Sequence, residues 1–204
     1  MSLTLGTLEA SDVAPLARLH RRAFPGFFLS SLGEPFLEEF YRGFLGDVTA
    51  VTVVARAAGT VRGAAVGTLA PAAFFARLLR RRWSGFAVAS CRAVLARPAA
   101  LPRLVQAVRY RGAAGGHVDG ALLSSIFVDP AARAAGVGGA LLEAWVDRAR
   151  AGGADQAYLT TDADGNDAVN SFYRRHGWSA SDRFTTTRGR TMLRYTLALE
   201  SSSR

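Results

Sequence analysis

Apolar residues alternate with small polar ones from Leu3 to Leu8, a spacing of two that predicts a first strand. The period then changes. Val13, Leu16, Ala17 and Leu19 recur at helical spacing behind Ser11 or Asp12 as a cap, and this helix runs through His20 to about Phe24, where Pro25-Gly26 breaks it. A second helix, about Gly33 to Phe44, gathers Phe36, Leu37, Phe40, Tyr41 and Phe44 on one face. Thr49 to Arg56 and Val61 to Leu69 form a hairpin joined through Ala58-Gly59-Thr60.

Farther along, Leu123, Ile126, Phe127 and Val128 predict a strand that Asp129-Pro130 stops. A turn of almost nothing but Ala, Gly and one Arg follows, from Arg133 to Gly139. From Val137 the apolar positions Val137, Ala140, Leu141, Ala144, Trp145 and the stem of Arg148 have helical spacing. Gly136 and Gly138 allow dihedrals that other residues avoid. Unbonded N–H groups at a helix N-terminus then suit a phosphate or pyrophosphate. Two familiar phosphate loops are excluded. The chain has no lysine for a Walker loop, and Leu141 stands where a dinucleotide fingerprint needs glycine. The plain alternative is a tight strand-to-helix turn packed with small residues.

Tyr158 to Thr161 predicts another strand, Asp162 to Gly165 a turn, and Asn166 the cap of a helix that Gly177 stops. Ala168, Val169, Phe172 and Tyr173 form the expected buried face, on which Tyr173 reads equally as a core aromatic. Trp178 to Thr186 and Thr191 to Leu199 supply two final strands.

Arg133-x-x-Gly136-x-Gly138-x-x-Leu141-Leu142 resembles the coenzyme A pyrophosphate loop of the GNAT superfamily, the Gcn5-related N-acetyltransferases. Asn166, then Phe172-Tyr173, then Gly177-Trp178 resembles the second signature of the same superfamily, in the same order along the chain. The resemblance implies an α/β fold with a mixed, mostly antiparallel sheet flanked by helices. It implies one domain over 1–204 with an insertion, 71–117, between the third and fourth strands. It also implies transfer of the acetyl group of acetyl-coenzyme A directly to a primary amine. By that resemblance, the backbone of Arg133, Ala134, Ala135, Gly136, Val137, Gly138, Gly139 and Ala140 holds the pyrophosphate. The edge of Ile126, Phe127 and Val128 pairs with pantetheine as an added strand would. Asn166 contacts the pantetheine arm, a backbone N–H near Phe127 or Val128 faces the thioester oxygen, and Tyr173 protonates the leaving thiolate.

The general base stays open, because the fourth strand carries no glutamate. Asp119, His117, Ser124 or Ser125 through water, Glu34 and His20 are all candidates, and His20 reads first as a partly buried helix-end histidine. The stretch from His20 to Leu37, with its His…Phe-Pro…Phe-Leu-Ser-x-Leu-Gly pattern, resembles a bacterial GNAT subgroup linked with surface polysaccharides. That suggests a small-molecule acceptor such as an aminosugar. A protein or peptide amine is the other enzymatic reading, and a non-catalytic acyl-coenzyme A module the reading outside enzymes.

Composition changes this picture in one place. A chain of 204 residues, half of them apolar, suits one substantial core. No apolar run approaches a membrane span, the N-terminus lacks a signal peptide, and Cys91 is alone, so a cytoplasmic protein without disulfides or a metal site is expected. The net charge of +9 is concentrated: Pro71 to Arg111 contains nine arginines and no acidic residue, leaving sixteen arginines against sixteen acidic residues elsewhere. This segment predicts a helix over Ala72–Arg82, a second from Ser84 to Arg97, a third behind Pro102 with Leu101, Leu104, Val105 and Val108 as its stripe, and a return through Ala113 to Gly116. Its basic faces serve as solvated exterior, substrate lid, oligomer contact or peripheral contact with an anionic membrane. No nucleic-acid recognition motif accompanies the charge, so specific nucleic-acid binding is not expected.

Overall fold

The computed structural model describes residues 3–96, 118–186 and 189–199, apart from the side chains at 28, 94–96 and 133–135. Seven strands form one sheet: β1 (Leu3–Gly6), β2 (Ala50–Ala57), β3 (Thr60–Thr68), β4 (Ala121–Val128), β5 (Gln156–Asp162), β6 (Ser179–Thr185) and β7 (Thr191–Ala198). Their spatial order is β1-β2-β3-β4-β5-β7-β6, antiparallel throughout except for β4 beside β5. The helices are α1 (Val13–Ala23), α2 (Phe28–Ser31), α3 (Glu34–Arg42), α4 (Pro71–Ala96), α5 (Val137–Ala151) and α6 (Asp167–Arg175).

Two apolar layers enclose the sheet. On one face, α5 and α6 bury Leu141, Leu142, Trp145 and Tyr173 against Val51, Val53, Ala65, Leu123 and Leu159. Trp145 is fully buried, and its indole N–H donates to Val51 O at 3.0 Å, which pins α5 across the middle of the sheet. Arg148, one turn on, sends its guanidinium to the carbonyls of Gly6 and Thr52. On the other face, α1, α3 and α4 bury Leu16, Leu37, Phe40, Tyr41, Phe74 and Leu78 against Val54, Ala64, Val66 and Phe127.

Two expectations need correction. The first strand ends at Gly6 rather than Leu8, because the Leu8 N–H leaves the ladder for Thr52 Oγ1 at 3.2 Å. Asp12 stands at the start of α1 but does not cap it; its carboxylate accepts from the Glu9 N–H at 2.8 Å and pairs with Arg56. The two helices expected on either side of Trp83 are present, and they meet at a kink at Arg82 (φ −119°, ψ 17°) within Pro71–Ala96. That bend turns Arg82 onto Glu39 of α3 at 2.8 Å, and it brings Gly85 so close to the same carboxylate that a Cβ there would stand 2.6 Å from it. The expected third helix, its return to His117, and Arg97 lie outside the described residues. Among the described residues no helix is long and apolar enough to cross a membrane.

Candidate active site

The sheet is split at its centre. β4 keeps its antiparallel ladder with β3 out to Val128, yet it pairs with β5 only at Ala121↔Ala157 and Leu122↔Tyr158. β5 continues to Asp162 bonded to β7 alone. Beyond Leu122, one edge of β4 therefore faces an opening instead of a neighbour. Backbone N–H and C=O groups along such an edge remain available to an extended ligand. Ile126, Phe127 and Val128 all lie on this stretch.

Within the opening the strand carries a bulge. Val66 pairs with Ser125 and Gly67 with Leu123, which leaves Ser124 as the extra residue. Ala121 and Leu123 face α5, and Ile126 and Val128 also pack on that side, whereas Phe127 belongs to the layer under α1 and α3.

At the end of β4, Asp129 accepts the Ala131 N–H at 3.2 Å and opens a 3₁₀ turn over Pro130–Ala135. Gly136 then takes φ +70°, where a side chain would be strained, and α5 begins at Val137. The loop read from sequence as reaching Gly139 is thus shorter, because Gly138 and Gly139 already belong to the first helical turn. Ala140 is the first to bond back, donating to Gly136 O at 3.2 Å, so the preceding N–H groups have no partner within the helix. The floor beside them is tight. A Cβ on Gly138 would touch Phe172 and Val128 at 3.7 Å, and one on Gly139 would press His176 Nε2 at 3.0 Å.

Across the opening stands α6, rotated from expectation. Ala168 and Val169 are exposed, and the inward positions are Asn170 and Tyr173, with Phe172 half-buried. Asn170 explains the rotation: its amide donates to Asp162 O at 3.2 Å and its oxygen accepts from the Tyr195 hydroxyl at 3.3 Å, tying the helix to β5 and β7. Asn166 occupies the cap position without capping, since its amide is drawn to Thr161 Oγ1 at 2.8 Å and Asp162 O at 3.2 Å. The Tyr173 ring is packed by Phe172, Trp178 and Tyr195, and its hydroxyl bonds to no described residue. Burial, with a further push from Tyr195, holds its ionisation well above the ordinary phenol range.

The base candidates separate clearly. Glu34 is engaged with Arg21 at 2.8 Å on the surface. Asp119 precedes β4 at the paired end of the split, His117 lies outside the described residues, and Ser124 is the bulge itself. His20 lies in the last turn of α1, as expected, but more deeply than the partial burial expected. It is buried, its Nδ1 stands 2.6 Å from the Tyr41 hydroxyl, and the rings of Phe24 and Phe127 close over it, so burial lowers its pKa to about 4. Sequence reading placed Tyr41 on an apolar face; nothing in a 3.6-residue period reports where a phenol oxygen ends.

At the mouth of the split, Arg190 clasps the Asp162 carboxylate at 2.6 Å and lies 5.3 Å from the Phe27 ring, which joins the segment after α1 to the turn before β7. A concavity of about 1070 Å³ lies on the outer side of α1 between Arg18, Arg22, Glu34 and the β2–β3 turn, and Asp129 at the end of β4 is among its lining residues.

The family model of the Acetyltransferase (GNAT) family matches residues 14–178. The chain belongs to this family. It is an acetyltransferase whose cosubstrate is acetyl-coenzyme A, and its seven-stranded, mostly antiparallel sheet with a helix between β3 and β4 has the GNAT architecture. Solved structures agree in fold. A GNAT-family protein from Desulfovibrio desulfuricans superimposes with a TM-score of 0.65 at 17% identity, covering 98% of this chain and 100% of that one. The ribosomal-protein-S18-alanine N-acetyltransferase of Escherichia coli gives 0.62 at 17% identity over 99% and 97%. YncA of Salmonella typhimurium, solved with its cofactor acetyl-coenzyme A, gives 0.63 at 14% identity over 100% and 98%. At such identities the likeness is one of fold alone. No curated protein matches the sequence significantly.

Proposed function

We propose that this acetyltransferase acts on the primary amine of a small molecule, with an aminosugar as the first candidate. The observation that carries the reading is the opened edge of β4, flanked at one end by the α5 N-terminus and facing Tyr173 on α6. Acetyl-coenzyme A supplies the activated acyl group. The residues present suit it: the N–H groups at the start of α5, behind the 3₁₀ turn of Arg133, Ala134 and Ala135, meet a pyrophosphate, and side chains are absent at Gly136, Gly138 and Gly139. Ile126, Phe127 and Val128 offer the pantetheine amides a strand edge, with an N–H at Phe127 or Val128 turned to the thioester oxygen. Tyr173, whose burial keeps it protonated at neutral pH, gives its proton to the departing sulfur in this reading. Alignment of amine and thioester supplies much of the rate, with no covalent enzyme intermediate.

A small acceptor is favoured over a peptide by the bridge from Phe27 to Arg190, which spans the end of the split where an extended chain would leave. The reading places the enzyme in the cytoplasm, with its cosubstrate. Thiol release from acetyl-coenzyme A, measured against glucosamine, spermidine and short peptides, tests it. Turnover of glucosamine well above that of peptides is expected; preference for a peptide N-terminus overturns the small-molecule assignment.

A further inference from the structure

The two sides of α4 differ in what they meet. Phe74, Leu78 and Phe86 are buried in the layer shared with α1 and α3. Two of the helix's arginines are neutralised by the domain, Arg77 by Asp47 and Arg82 by Glu39, each at 2.8 Å. With Arg82 drawn onto that carboxylate at the kink, the next side chain, Trp83, is left outward and 69% exposed. Val88 is 53% exposed and Leu79 36%. Tryptophan is highly buried on average in folded proteins, so an indole held in water beside other apolar side chains marks a contact surface.

Arg80, Arg81 and Arg92 are also exposed, and they have no partner among the described residues. None can come from within the segment, since Pro71 to Arg111 holds no acidic residue. The remaining exposed positions from Ala72 to Cys91 are alanines, one serine and one cysteine. The outward side is thus small or apolar except for its arginines, and its charge is of one sign. That combination matches the interfacial zone of an anionic bilayer. Lipid phosphates meet the arginines, and the apolar side chains enter the boundary between headgroups and acyl chains, a depth that tryptophan favours. Nucleic acid, the other polyanion, would satisfy the arginines and leave Leu79 and Val88 in water.

We propose that the outer side of α4 is a docking surface for an anionic membrane, with Trp83 as its apolar anchor and Arg80, Arg81 and Arg92 as its contacts with lipid phosphate. Attachment of this kind is reversible and weakens with salt. The clasps of Arg77 on Asp47 and of Arg82 on Glu39 tie α4 to the domain, so a docked helix brings the acetyltransferase with it. The assignment does not depend on which amine the enzyme acetylates.

The chain has three tryptophans, and Trp145 and Trp178 are buried, so a fluorescence change on docking reports Trp83. The full-length protein should show a blue shift and reduced acrylamide quenching with vesicles of phosphatidylglycerol and phosphatidylcholine, and neither with phosphatidylcholine alone. Arg80→Gln with Arg81→Gln should weaken co-sedimentation with the mixed vesicles on the order of twentyfold, at about fivefold for each arginine. Trp83→Ser should weaken it by about tenfold, the scale of one large apolar side chain withdrawn from the interface. Both variants should keep the wild-type Tm and coenzyme A affinity, because the altered side chains stand in solvent. No spectral change with the anionic vesicles overturns the proposal. Co-sedimentation that none of these substitutions weakens overturns it too, by putting the contact on another surface. A blue shift with double-stranded DNA and none with vesicles would give the face to nucleic acid instead. A Trp83 already shielded from acrylamide in the free protein would mean that a second copy covers it, and the membrane assignment would fall.

Discussion

Arg77 grips Asp47 with two nitrogens, Nε at 2.9 Å and Nη2 at 2.8 Å, and the second nitrogen also reaches Thr49 Oγ1 at 2.8 Å. One arginine of the basic segment thereby fastens α4 to the loop that leads into β2. The Asp47 carboxyl is held far below the usual carboxylate range, chiefly by this hydrogen bond.

Asp47→Asn should lower the Tm while leaving acetyl-coenzyme A affinity unchanged, since the pair lies away from the split. The sign with pH is definite. A carboxyl whose pKa falls on folding contributes stability above its unfolded pKa, near 4, and loses it as pH drops toward the native value. The Tm gap between wild type and Asp47→Asn should therefore be widest near pH 6 and narrow steadily below pH 4. A gap that does not change with pH would mean that packing alone joins these elements.

Tyr173→Phe removes one oxygen from a packed ring. Turnover should fall on the order of 10²–10⁴-fold, as for loss of a general acid, with acetyl-coenzyme A affinity nearly intact by calorimetry. Undiminished turnover would assign Tyr173 to the core alone.

His20 sets a second acid response. Its pKa drops from 6.5 to about 4 on folding, so the unfolded chain takes up a proton first as pH falls. Stability linked to this group is complete above pH 6.5 and declines between there and pH 4, by about 3 kcal/mol in all, taking 1.36 kcal/mol per pKa unit. His20→Gln, which cannot titrate, should lack that decline in urea unfolding at pH 7 and pH 4. Parallel curves for the two proteins would show that His20 opens to solvent before it protonates.

Gly138→Val asks whether the start of α5 is the phosphate site. A Cβ fits at ordinary contact distance from Phe172 and Val128, so the fold should survive, but the two branches project into the gap between them. Coenzyme A affinity should weaken by about tenfold, the scale of a modest overpacking cost. Calorimetry giving the wild-type value would place the pyrophosphate elsewhere.

Sequence pattern was enough for the strands around the split, for α5, and for the two signatures that mark the family, because glycine placement and apolar period are local properties. What it missed was decided by single polar atoms. The face of α6 was misassigned because Asn170 finds three tertiary partners that outweigh the apolar pull of Ala168 and Val169. Asn166 does not cap because Thr161, five residues back, captures its amide. The helical insertion was legible as far as Ala96, including the break after Arg82, because a cap residue at Ser84 marks it locally; what sequence could not show is the pairing of Arg82 with Glu39 on α3. The bond from His20 to Tyr41 ends on a tyrosine that any hydropathy scale counts as core.

The bulge at Ser124 makes β4 a strand with a reading frame. Deleting that one residue would leave composition nearly unchanged yet exchange the two faces of everything upstream relative to everything downstream. Either Leu123 leaves the layer under α5, or Phe127 leaves its place over His20. Length in this part of the chain is thus constrained one residue at a time. The connection between β3 and β4 obeys no such count, since it enters β4 before the bulge.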